Sequence, residues 1–350
     1  MVGIGIAGIG FMGVTHFKAI AEVADARVAA ICTRSEKKRA GDWREVQGNF
    51  GEGGGVQDLG SIATYQQFDD LIRDRDIDLI DICLPSPMHA ATTIAALEAG
   101  KHVLVEKPIA LSVEDADRMI AAARSTGRLL MVAHVLRFMP QWAFIRQAMD
   151  GRFGQLLTLS IERIITLPDW SKDIADLKAN GGPLIDLHIH DVDFVLHLLG
   201  KPKRIASVGR DVDGCVLYVS TQYDYGDGAT VTSRGGAVAK KGRPFMQAYE
   251  ACFEEATVTV STATEPLGND PARRQSQTHE LIVYDAAGQV CFPTLDGPDP
   301  FVAQLEHAVQ RVSRDEPSTL IGAESAREAL ALCFLEGEAV RRGQYMDVPQ

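Results

Sequence analysis

Residues 2–13 read VGIGIAGIGFMG. A short apolar run, VGIGIAG (2–8), passes into Gly8-Ile9-Gly10-Phe11-Met12-Gly13, and a helical pattern continues through Val14–Val23. Alone, G-x-G-x-x-G is a weak pattern. After a strand and at the opening of a helix it acquires a mechanism. The first glycine makes a tight turn, and the second lets a pyrophosphate approach the backbone. The third allows close helix–strand contact, while the anion rests on the helix N-terminus. Gly8, Gly10, Phe11, Met12 and Gly13 are therefore candidate dinucleotide contacts.

Outward from this turn, strand and helix signals alternate. ARVAAICT (26–33), IDLIDICLP (77–85), HVLVEKP (102–108) and RLLMVAH (128–134) are strand-like. A charged helix opens at Ser35, HAATTIAALEAG (89–100) reads as a helix stopped by Gly100, and Asp115–Thr126 reads as another. Such alternation implies parallel strands with crossover helices, an α/β doubly wound sheet over residues 1–134.

The texture changes after about residue 135. Gln141–Met149 is helical, but LLTLSIERII (156–165), CVLYVSTQYDY (215–225), ATVTVSTAT (256–264) and HELIVYD (279–285) are long strands bounded by turn signals. They imply an α+β second domain, 135–350, with a mostly antiparallel sheet. Pro300–Arg311 and Ala323–Arg342 read as closing helices. Segment 41–60 holds seven glycines in twenty residues. A functional lid and a flexible insertion both remain open for it.

A length of 350 residues accommodates about two domains. With 46% hydrophobic and 23% charged residues the balance is globular. A net charge of −12 argues against nucleic acid or an anionic membrane as the main partner. Six scattered cysteines without a C-x-x-C pair imply no disulfide framework, and a reduced, cytoplasmic setting is expected. The apolar start lacks a basic n-region, and no run is long enough to span a bilayer.

The acid that usually binds the ribose hydroxyls lies about twenty residues past the glycine turn. Here that position is Thr33, followed by Arg34 and Ser35, with Lys37, Lys38 and Arg39 close by. A hydroxyl and a guanidinium suit a 2′-phosphate, so the reading favours NADP over NAD.

Residues 181–200, GGPLIDLHIHDVDFVLHLLG, concentrate imidazoles and carboxylates. Residues 184–199 run without glycine or proline, a length ordinary for a helix and long for a strand. At about 100° per residue, Asp186, His190, Asp193 and His197 form one stripe, and His188 points to the opposite, apolar side. That stripe runs about 16 Å, so only neighbours cooperate, and Asp186 with His190 is the i, i+4 pair. A zinc centre would need further ligands that the sequence does not offer, so no metal is expected. The stretch reads as an acid/base pair, with His188 a core histidine satisfied by a partner such as Asp191.

With the glycine turn, LPSPMHAATTIAALEAGKHVLVEKPIAL (84–111) and GGPLIDLHIHDVD (181–193) together, the chain resembles the Gfo/Idh/MocA oxidoreductases. That family includes glucose–fructose oxidoreductase and myo-inositol dehydrogenase. The resemblance implies a Rossmann domain followed by a domain with a large open antiparallel sheet, and a homodimer or homotetramer joined through that sheet. It also implies a nicotinamide cofactor and a sugar, inositol or related polyol substrate. Residue by residue, Lys107 of Glu106-Lys107-Pro108 matches the active-site lysine, and Asp186 and His190 match the acid and the histidine. Leu84, Pro85, Ser86 and His89 fall in the loop that lines the dinucleotide, beside Glu106 and Lys107. Weaker matches place His134, Arg137 and Trp170 near substrate. Two departures are His188, where relatives often have glycine, and the long 41–60 segment.

The chemistry expected is hydride transfer between nicotinamide and a secondary alcohol or ketone. Two other readings stay open: a redox-recycling glycosidase or lyase with bound cofactor, and a dinucleotide-sensing regulator without turnover.

Overall fold

The structure is a computed structural model describing residues 1–48, 53–167, 174–240, 243, 245–264 and 277–350. The chain divides into two compact units, Met1–Phe138 with Pro298–Arg327, and Met139–Gly297 with Glu328–Gln350.

The first unit is built on β1 (Val2–Ala7), β2 (Ala26–Cys32), β3 (Ala63–Tyr65), β4 (Leu79–Ile82), β5 (His102–Glu106) and β6 (Leu130–Ala133). Their order is β3-β2-β1-β4-β5-β6, all parallel. Every residue of β1, β4, β5 and β6 is buried, as a sheet covered on both faces requires. Helices α1 (Phe11–Ile20), α2 (Glu36–Arg39), α3 (Phe68–Arg73), α4 (His89–Glu98) and α5 (Val113–Thr126) make the crossovers. Ser112 caps α5 by accepting from the Asp115 amide at 3.1 Å, and Gly127 ends it at φ +65°.

The short β3 and α3 are missing from the strand-and-helix expectation, because three residues, ATY, offer no readable period. The charged helix expected from Ser35 lasts only four residues.

A later segment completes this unit. Asp299 caps the helix Pro300–Arg314 by accepting from the amides of Phe301 and Val302. That helix buries Phe301, Val302, Leu305, Ala308 and Val309 along one stripe and packs on α1 and β1. A single boundary after residue 134 does not express this return of Pro298–Arg327 to the first unit. The physical cause is the apolar stripe, which finds its cover on a helix nearly three hundred residues earlier.

In the second unit, nine strands among the described residues form a sheet. Its members are β7 (Leu156–Thr166), β8 (Arg204–Val212), β9 (Cys215–Asp224), β10 (Thr230–Ala239), β11 (Phe245–Phe253), β12 (Ala256–Thr264), β13 (Gln277–Asp285), β14 (Val290–Cys291) and β15 (Met346–Asp347). The order is β14-β13-β12-β11-β7-β10-β9-β8-β15, and among the described residues only β7 and β10 pair in parallel. Burial alternates along β9 and β11, so one face is covered and the other faces solvent. Strands β8, β10 and β11 go beyond the sequence expectation: glycine, serine and arginine dilute the patterns of β8 and β10, and glutamine and glutamate interrupt that of β11.

Two helices matter for the covered face, Pro140–Ala148 and Ile189–Leu199. Trp142 from the first is fully buried, edge-on to Phe194 of the second at 4.9 Å between ring centroids and to Tyr249 of β11 at 5.3 Å. The long closing helix spans Ala323–Arg342, the range its periodicity indicates.

Candidate functional site

In the first unit the glycine turn joins β1 to α1 at the point where strand order reverses between β1 and β4. Open α/β sheets bind ligands at such switch points. Gly8 sits at φ +100°, and a Cβ there would lie 2.6 Å from the Cys83 carbonyl oxygen. A Cβ on Gly13 would come within 1.9 Å of the Gly8 carbonyl oxygen. These two glycines are demanded by the fold itself. Gly10 differs: a Cβ there would meet no protein atom within 4 Å. No side chain caps the start of α1, where Gly10 is the N-cap, and no acid occupies its first turn. A positive helix end without a side-chain cap and room for an approaching group fit a pyrophosphate.

Around this turn, Thr33 is half-buried and Arg34 exposed. Arg39 donates to the Thr33 carbonyl at 2.7 Å, shaping the strand end, and Ser35 caps α2 through the Lys38 amide. Lys38 reaches back and donates its ammonium to the Ile9 carbonyl at 2.6 Å, placing a cation on the glycine turn itself. Nothing in the local sequence marks Lys38 over Lys37; the choice depends on a contact 29 residues away. The glycine-rich segment contributes Trp43, fully buried, whose Nε1 donates to the Lys38 carbonyl at 2.8 Å. Lys18 of α1 donates to the Gly53 carbonyl at 3.0 Å, so this part of the segment is tied to the helix that follows the glycine turn.

The loop after β4 is fastened to the Glu-Lys-Pro tripeptide by His89. Its Nδ1 lies 2.7 Å from the Pro108 carbonyl oxygen and its Nε2 2.8 Å from that of Leu84. Between these anchors, Pro85 is exposed and Ser86 half-buried, while the His89 ring is only 1% exposed. Lys107 is half-buried at the C-terminal end of β5, and the Lys107–Pro108 peptide bond is cis. Glu106 turns inward: its Oε2 accepts from the Lys107 amide at 3.1 Å, and its Oε1 lies 3.4 Å from His16 Nε2. His16 Nδ1 in turn lies 2.9 Å from Asp81 Oδ2. Cys83 Sγ is 3.5 Å from the same nitrogen, and burial, Asp81 and Glu106 hold its thiol well above the usual range. The donor atoms of His16, Asp81 and Cys83 lie within 4.8 Å of one another, but the 2.9 Å contact is a hydrogen bond between them.

His134 follows β6 and is 1% exposed. Arg137 is also buried, and its Nη1 donates to the Leu320 carbonyl, securing the returning segment.

In the second unit, the stretch from 184 is not one α-helix. Leu184–His188 is a π-helical turn that leads into the α-helix Ile189–Leu199. The i, i+4 geometry derived for Asp186 and His190 from an α-helical period is therefore modified by the wider turn, a feature frequent at functional sites. Asp186 lines a cleft with Ile165, Leu177, Asn180, Gly182 and Ala237. Asp186, His190 and His197 are partly exposed, while Asp193 is buried.

His188 is fully buried, and its main partner is not Asp191. Its Nε2 lies 3.1 Å from Glu336 Oε2, whereas Asp191 is 3.8 Å from Nδ1, beyond a hydrogen bond. Tyr223 donates to Glu336 Oε1 at 2.6 Å. Asp191 instead receives the Arg163 fork, Nε at 2.9 Å and Nη2 at 2.8 Å. Trp170 lies outside the described residues.

Comparison with known proteins accords with both units. Residues 2–134 match the family model described as oxidoreductase family, NAD-binding Rossmann fold, and residues 142–259 match the GFO/IDH/MocA C-terminal domain. A D-xylose 1-dehydrogenase (NADP(+)) of Haloferax volcanii is 25% identical over 316 residues, 89% of each chain. A 1,5-anhydro-D-fructose reductase of Ensifer adhaerens is 34% identical over 134 residues, 37% of this chain and 40% of that relative. A solved aldose-aldose oxidoreductase from Caulobacter crescentus superposes with a TM-score of 0.80 at 22% identity, covering 99% of both chains, which shows the fold. Among the described residues no helix is long and apolar enough to cross a membrane. With both halves matched, the chain belongs to the GFO/IDH/MocA family of oxidoreductases, with an NAD(P)-binding Rossmann domain.

Proposed function

We propose that this protein transfers a hydride between a nicotinamide dinucleotide and a secondary alcohol or ketone of a sugar, inositol or related polyol. The observation that carries the reading is Gly10, open to a ligand at the uncapped start of α1 in a sheet that reverses order beside it. Relatives named for D-xylose, 1,5-anhydro-D-fructose and myo-inositol support the substrate class.

When bound, the nicotinamide gives or accepts the hydride at C4. His190 takes the hydroxyl proton as the carbonyl forms, or returns it in reduction, because imidazole titrates near neutrality. Asp186 orients that ring. Lys107 donates to the reacting oxygen and stabilises its developing negative charge. NADP is preferred to NAD: Thr33 and Arg34 offer a hydroxyl and a guanidinium where a ribose-binding acid would otherwise repel a phosphate. A cytoplasmic homodimer or homotetramer is part of the same reading. The solvent-facing side of the sheet, where Val208 is 70% exposed, supports this reading.

The test is absorbance of reduced nicotinamide across a panel of sugars, inositols and their keto forms, with both cofactors. Net turnover is expected, falling by about a hundredfold or more in Lys107→Ala and His190→Ala. Product formation without net cofactor change would replace this reading with redox recycling. Binding without any turnover would make the protein a sensor.

A further inference from the structure

Three ionisable side chains from separate elements meet in the interior of the first unit. His16 is on α1, Asp81 on β4 and Glu106 at the end of β5. His16 and Asp81 are fully buried, and Glu106 is 7% exposed. The imidazole stands between the carboxylates, with Nδ1 2.9 Å from Asp81 Oδ2 and Nε2 3.4 Å from Glu106 Oε1. Two buried carboxylates on adjacent strands repel and are poorly solvated, so they need a cation to stay ionised together. Between the two carboxylates stands the His16 ring; of its other described neighbours the Cys83 thiol is neutral, and the Phe301 ring, centroid 6.0 Å from that of His16, is apolar. The Lys107 charge also favours the ionised form of Glu106.

The second oxygen of Glu106 accepts from the Lys107 amide at 3.1 Å. A charged acceptor strengthens that bond and fixes the chain where Lys107 departs from β5. We propose that His16 is a positioning residue: as an imidazolium clasped by Asp81 and Glu106, it keeps Glu106 ionised, and Glu106 holds the Lys107 backbone. The helix that opens with the dinucleotide turn thereby also sets the lysine at the end of β5. This inference rests on the proposed role of Lys107.

Electrostatics agrees with the geometry. Burial alone would lower the His16 pKa, but the charge and hydrogen bond of Asp81 and the charge of Glu106 outweigh it, raising it to about 9. The Glu106 pKa is raised on balance, by burial and by Asp81, and the His16 and Lys107 charges limit that rise, so Glu106 depends on them for its ionised form.

The decisive measurement is an NMR titration of the His16 ring in the cofactor-free protein, beside Glu106→Gln. Wild-type His16 is expected to stay protonated through neutral pH, and Glu106→Gln to lower its proton affinity by about tenfold or more. In kinetics, His16→Gln should reduce kcat by about tenfold or more while dinucleotide Kd changes by less than about threefold. The acid limb of its kcat profile should move to higher pH, and His16→Gln/Glu106→Gln should abolish that shift, leaving the limb set by His190. A neutral His16 at pH 7 in the wild type overturns the proposal, as does a His16→Gln enzyme with normal kcat and pH profile. If His16→Gln does not fold, the Glu106→Gln titration and profile decide. Loss of the hydride-transfer reading would show as absent turnover with the wild-type titration intact; a neutral ring in an active enzyme defeats the positioning role alone.

Discussion

His188 Nε2 lies 3.1 Å from Glu336 Oε2 although 148 residues separate them, and both side chains are wholly buried. The pair ties the π-helical turn carrying Asp186 to the helix Ala323–Arg342. Removing one member strands the other's charge, so His188→Ala should destabilise the protein by about 3–5 kcal/mol. In His188→Ala/Glu336→Gln the loss should be clearly less than the sum of the single variants, measured by chemical unfolding. Gly235→Ala tests the same contact sterically. Its Cβ would lie 2.5 Å from His188 Nδ1, and crowding of this kind costs about 1–3 kcal/mol.

Gly10 and Gly13 should separate binding from folding. Gly10→Ala meets open space, so its melting temperature should match the wild type while dinucleotide affinity falls by about tenfold or more, because the methyl occupies the ligand's approach. Gly13→Ala drives a methyl to 1.9 Å from the Gly8 carbonyl oxygen and should lower the melting temperature itself. Equal thermal behaviour of the two variants would refute the distinction.

Cofactor preference should reside in the cations beside the turn. Arg34→Ala is expected to lower kcat/KM for NADP by roughly tenfold to a hundredfold, as loss of a charge-assisted hydrogen bond worth about 1.5–3 kcal/mol implies. The value for NAD should change little. Lys38→Ala should weaken both cofactors, since its ammonium also rests on the Ile9 carbonyl. Steady-state kinetics with each dinucleotide checks both statements.

Stability should depend on pH through His16. Its folded pKa, raised to about 9, exceeds the unfolded value near 6.5. The contribution is therefore complete below about pH 6.5 and disappears as pH climbs through about 9, amounting to at most about 3 kcal/mol. His16→Gln should lose this slope. Parallel unfolding free energies for wild type and variant from pH 6 to 9.5 would argue against it.

Much of the architecture was legible because its causes are local. The apolar run of β1, the glycines at a strand–helix junction and the continuous periodicity of Ala323–Arg342 each act over a few residues. Strands β8 and β10 escaped because their covered faces use serine and glycine, which carry little apolar signal. For the candidate residues, the glycine turn and the Glu-Lys-Pro tripeptide could be named from sequence. The inward turn of the Glu106 carboxylate could not.

By itself, then, the sequence determined the alternation of elements, the glycine turn between β1 and α1 and the identity of the ionisable groups that could do chemistry. Tertiary structure alone decided which of them meet. It placed His16 between Asp81 and Glu106, gave His188 to Glu336 and not to Asp191, and returned Pro298–Arg327 to the first unit. The reason is physical: periodicity and turn chemistry are properties of neighbouring residues. The partner of a buried charge is chosen by desolvation, which acts only once distant segments have closed around it.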